Sequence, residues 1–167
     1  MLDIKLLKEL EEYIKLQTNS FQFNVFEANI YKQNDICESV QNTELEDFIK
    51  AKKKPDFNQV LFASIDKKGA KDADIYKKAG IDRRHFSKIR TNPQYRIRKN
   101  TAIALALALQ LNIEETEDLL DAAGYSLSDS DTSDLVIQFC LEKGIYDVDD
   151  VNQALDYFSL KPLTGIL

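Results

Sequence analysis

The sequence predicts an all-α protein, and three observations predict it. Glycine and proline are scarce, five and three in 167 residues, so loops must be short. Apolar residues recur at helical rather than alternating spacing through most of the chain. From Asp56 onward, capping residues and glycines punctuate those stripes at regular intervals. A hydrophobic content of 44% and a charged content of 30% mark a chain that buries a core rather than a disordered one.

The first element is a helix from Leu2 to Gln17, with Leu6, Leu10, Tyr13 and Ile14 on one face. Phe21 to Phe26 alternates like a short strand, although a lone strand has no pairing partner in such a chain. Residues 29–42 show no clear period. Thr43 and Glu46 have capping-box spacing, and the helix they open runs into a lysine-rich stretch stopped by Pro55. Phe57, Val60, Leu61 and Ile65 make the next stripe, ended by Gly69. Asp72 is placed to cap a short helix through Lys78, closed by Gly80. Asp82 is placed to cap a helix from Arg83 to Thr91, with Asn92 as its left-handed exit residue.

Asn100 is placed to cap the run Thr101 to Leu111. Its Ala/Leu alternation imitates a strand, but eleven residues is long for a strand, and Ala and Leu are the best helix formers. Glu114 to Ala123 forms a helix stopped by Gly124. Asp131 or Thr132 opens one through Lys143, with Gly144 after it. Asp147 caps the last, with Val148, Val151, Leu155 and Phe158 inward.

The net charge of −6 disguises a segregation. Residues 1–49 carry net −6, residues 50–99 net +11, and residues 100–167 net −11. A basic block between acidic ones marks a part of the chain that seeks polyanions. No apolar run approaches the roughly 18 residues of a membrane span, and the first residues lack the apolar stretch of a secretory signal. A cytoplasmic protein with no membrane partner is expected, with Cys37 and Cys140 as reduced, buried thiols.

Inside the basic block, a short helix ends at Gly80, Ile81 fills the corner, and Asp82 opens a second helix. This pattern resembles the repressor-like helix-turn-helix superfamily of bacterial and phage regulators, and the run from Asn100 to Asn112 looks like that superfamily's fourth helix. More closely, roughly residues 57–160 resemble a helical module found next to macro domains in bacterial proteins. Tyr76 to Arg90, Ala122 to Ser128 and Ser133 to Ile137 carry that likeness. No macro domain is present, and the first 50 residues share in neither resemblance. Two positions depart from the repressor-like pattern: Tyr76 stands where a small residue is usual, and Arg90 where a Glu is common.

The resemblance implies a non-enzymatic regulator that binds double-stranded DNA, of its own operon or of a defence or mobile-element locus. Arg83, Arg84, Ser87 and Lys88, on the first turns of the second helix, are the expected base contacts. Lys67, Lys68, Lys71, Lys77, Arg90, Arg96, Arg98 and Lys99 are the expected phosphate contacts. A second reading is a protein-interaction adaptor using acidic residues such as Glu114, Glu115, Glu117, Asp118, Asp121, Asp129, Asp131 and Asp134, or a homodimer. An enzyme is not expected. His85 is the only histidine, no nucleophilic triad can be assembled around it, and no phosphate loop or metal-ligand spacing is present. No cofactor is expected.

The predicted layout is an N-terminal extension of uncertain fold (1–54), a repressor-like helix-turn-helix bundle (55–125), and a C-terminal helical hairpin packed on it (126–167).

Overall fold

Capped, amphipathic segments separated by short connections fold as helices throughout most of the chain. The computed structural model describes residues 4–19 and 42–164. Among these, the regular structure is entirely helical, in nine helices. They are α1 (Ile4–Asn19), α2 (Asn42–Lys52), α3 (Phe57–Lys68), α4 (Asp72–Lys78), α5 (Arg83–Thr91), α6 (Lys99–Ala108), α7 (Ile113–Ala122), α8 (Thr132–Glu142) and α9 (Val148–Tyr157). The strand expected at Phe21 to Phe26, the unassigned stretch before residue 42, and Cys37 lie outside the described residues. No helix among the described residues is long and apolar enough to cross a membrane.

The chain divides into two compact units. One comprises residues 1–20 and 55–167, the other residues 21–54. The sequence suggests a single extension over 1–54, but α1 belongs with the larger unit. Leu10 and Ile14 are buried there, the Tyr13 ring meets the Phe139 ring edge-on at 5.4 Å, and Lys143 lies 2.7 Å from Glu9. These contacts seat α1 on α8.

At the centre of that unit is α6. Every residue from Ala102 to Leu109 is buried, because α4, α7 and α9 pack around it. A helix apolar on all sides needs walls on all sides. The small alanines let those walls approach closely, and the leucines fill the space between them. Helix α7 also packs on α3, and α8 on α7 and α9.

Several caps act as the sequence predicts. Asp56 and Gln59 form a reciprocal capping box on α3, and Asp131 and Asp147 accept from the first backbone amides of α8 and α9. Four assignments shift. Thr43 lies inside α2, which begins at Asn42. Asp72 is the first residue of α4 and Asn100 the second of α6, behind Lys71 and Arg98, which give no side-chain cap. Asn92 is extended rather than left-handed, since the ring of Pro93 disfavours helical angles in the residue before it. After α6, Gln110 takes a left-handed conformation that the sequence does not mark, with φ +52°. There α6 stops short of Leu111, whose amide bonds back to the carbonyl of Ala106.

Candidate nucleic-acid interface

Helices α4 and α5 are joined by a tight turn. Gly80 has φ +63°, a conformation that costs glycine little. It lets the amide of Ile81 reach back to the carbonyl of Tyr76 at 2.8 Å. Ile81 is buried in the corner, with Ile75 and Ala79 before it. Asp82 then accepts a hydrogen bond from the amide of Arg84 at 2.6 Å and starts α5.

The inner face of α5 is Phe86 and Ile89, both buried. Phe86 packs edge-on against Phe62 at 6.1 Å and tilted against Tyr76 at 5.8 Å. The bulk of Tyr76 is therefore accommodated by half-burying its ring on Phe86. At the other end, the buried amide of Asn58 donates to the carbonyl of Ile89 at 2.6 Å. Sequence reasoning missed Asn58, because nothing local marks a polar residue on α3 as a cap for a helix some thirty positions away.

Arg83, Arg84, Ser87 and Lys88 are all exposed. Positions one, two, five and six of a helix share one face, so the four side chains stand together. No carboxylate among the described residues forms an ion pair with the two arginines or with Lys88.

The eight expected phosphate contacts divide evenly. Lys71, Lys77, Arg96 and Arg98 are exposed, with no ion-pair partner among the described residues. Lys78, which sequence reasoning did not single out, is exposed beside Lys77. The other four also make contacts within the chain. Lys67 pairs with Glu115 at 3.1 Å, and Lys68 donates to the carbonyl of Gln110 at 3.1 Å. Arg90 binds Asp72 at 2.8 Å and lies over the Phe62 ring at 4.5 Å, clamping α5 to the start of α4. Lys99 binds the buried Asp134 at 2.5 Å, tying α6 to α8.

Arg98 lines a cleft of about 540 Å³ that it shares with Asp82 and His85 at the start of α5. Arg96 lines a different cleft, of about 790 Å³, beside the end of α7. His85 itself is 3.2 Å from the hydroxyl of Tyr95, so the two rings brace α5 against the segment after it. The Cys140 thiol is pushed up to about 12 by burial and by nearby Asp150, which leaves it protonated and unreactive at neutral pH. Among the described residues, no group of three His, Cys, Asp or Glu side chains is placed to hold a metal ion.

Comparison with family models, with curated proteins and with solved structures finds no match for this chain. The geometry of α4 and α5 therefore carries the functional reading by itself.

Proposed function

We propose that α4 and α5 act as a helix-turn-helix, and that the chain is a DNA-binding regulator of the repressor-like kind which enters the major groove with the first turns of α5. One observation carries the reading. Arg83, Arg84, Ser87 and Lys88 share a solvent-facing side of a helix whose other side is locked into the core. A rigid helix with a cationic, unpaired outer face suits groove entry, and arginine matches a guanine edge with two hydrogen bonds. Lys71, Lys77, Arg96 and Arg98 supply the backbone contacts in this reading.

The adaptor alternative keeps part of its acidic surface. Of the acidic residues it would use, Asp131 caps α8, Asp134 holds Lys99, Glu115 holds Lys67, and Asp129 accepts from Gln138. Those carboxylates are engaged in the fold, whereas Glu114, Glu117 and Asp118 on α7 are exposed.

The test is duplex binding followed by fluorescence anisotropy across a salt series. Replacing both Arg83 and Arg84 by Ala should weaken binding by roughly 2–5 kcal/mol, at about 1–3 kcal/mol per good contact, with the helical circular dichroism unchanged. If Lys71, Lys77, Arg96 and Arg98 are the four phosphate contacts, log K should fall against log salt with a slope of about −4. A double variant that binds as tightly as the parent chain refutes the assignment.

A further inference from the structure

Helix α2 lies in the smaller unit and presents an apolar stripe to solvent. Leu45, Phe48 and Ile49 are 48%, 61% and 52% exposed. Their spacing of three and four puts them on one face. Three large side chains left open together on an eleven-residue helix are more than the scattered exposure any surface shows.

The charges of the helix are sorted along its length, with Lys52 on the same face as the stripe at its C-terminal end. Glu44, Glu46 and Asp47 occupy its first half, and Lys50, Lys52 and Lys53 its second half and exit. Glu46 lies seven residues before Lys53, which directly follows the last residue of α2. The amide of Lys53 still bonds to the carbonyl of Ile49 at 2.9 Å, so the helical spacing sets the two near the same edge of the stripe. Glu46 also lies 4.0 Å from Lys50, an exposed pair too weak to withdraw it from other partners.

We propose that the apolar stripe of α2 is covered by α2 of a second copy of this chain, running antiparallel. In that arrangement each acidic half faces the other copy's basic half, and each Glu46 meets the other copy's Lys53. A parallel pair sets like charge against like. A partner of uniform charge gains at one half and loses at the other. Three side chains per copy bury only several hundred Å², below the roughly 1,200 Å² of a stable complex. The dimer is therefore weak, and charge sets its orientation. This pairing does not depend on DNA binding, and its test uses no nucleic acid.

The test is sedimentation velocity of the full chain over a concentration series at low salt. The parent chain should pass from monomer to dimer as concentration rises, less so in high salt. The variants Glu46→Lys and Lys53→Glu, each alone, should dimerise about ten-fold more weakly, since both opposed pairs become repulsive. An equimolar mixture of the two should recover parental association as a heterodimer, which also shows that each variant keeps α2 folded. A parent chain that stays monomeric, variants that associate as it does, or a mixture without recovery each overturn the proposal.

Discussion

The side-chain amide of Asn58 sits 2.6 Å from the main-chain carbonyl of Ile89, so the first turn of α3 closes the last turn of α5. The end of a helix leaves carbonyls without partners, and this one is buried where water cannot replace the lost bond. Asn58→Ala should cost about 1–3 kcal/mol, the penalty of orphaning a buried acceptor. Asn58→Asp should cost more, since it sets a carboxylate oxygen against the carbonyl. Chemical denaturation of the three chains checks the order.

Lys99 and Asp134 form the least exposed ion pair among the described residues. The carboxylate side chain is 8% exposed, and it also accepts from the amide of Ser128. Asp134→Ala strands both donors and should cost about 2–4 kcal/mol. A double-mutant cycle with Lys99→Met should return a coupling above about 1 kcal/mol. Additive losses would show that the two residues act separately.

Thr116 lies in the first turns of α7 with its hydroxyl buried and without a hydrogen-bond partner among the described residues. Valine has nearly the same shape and no polar atom to desolvate. Thr116→Val should raise stability by about 1 kcal/mol, measured as a higher melting temperature. A lower one would mean that the hydroxyl has a partner in solution.

The hydrogen bond from Lys67, together with the amide of Asn112, holds the Glu115 carboxyl below its usual range. A carboxyl that binds its proton less readily when folded stabilises the fold above its unfolded pKa of about 4.3. That contribution drains away as pH falls through the lower folded value. Glu115→Gln should therefore show a shallower loss of stability on acidification than the parent chain, with the difference confined to pH below about 5. Urea melts between neutral pH and pH 3 provide the measurement. Identical acid limbs would show that the carboxylate makes no net contribution.

The local grammar of the fold is legible in the sequence. Gly80, Ile81 and Asp82 reveal their turn because each role depends on near neighbours: a left-handed angle, an apolar plug, a side chain within reach of the next amides. Asp72 and Asn100 sit one and two positions inside the helices they are expected to cap, because an acidic or amide side chain suits both a cap and a helix's first turns. Gln110 gives no sign of its left-handed angle. Only the need to bury Leu111 fixes that turn, and that need is tertiary. The same limit applies to the candidate interface. Exposure of Arg83, Arg84, Ser87 and Lys88 follows from the helix period. The pairing of Lys99 with Asp134, thirty-five residues on, depends on how α8 meets α6. Engagements of that kind involve half of the expected phosphate contacts, and no local pattern announces them.

The burial of α6 on every side has a consequence for dissection of the molecule. One wall of this helix is α4, which leads into the proposed reading element, and another is α9, near the opposite end of the chain. A fragment ending near residue 125 would strip away the wall that α9 gives α6 and bare part of that helix to water. Helix α6 is thus a shared axle between α9 and the α4–α5 pair, a path by which loosening α9 would reach α5.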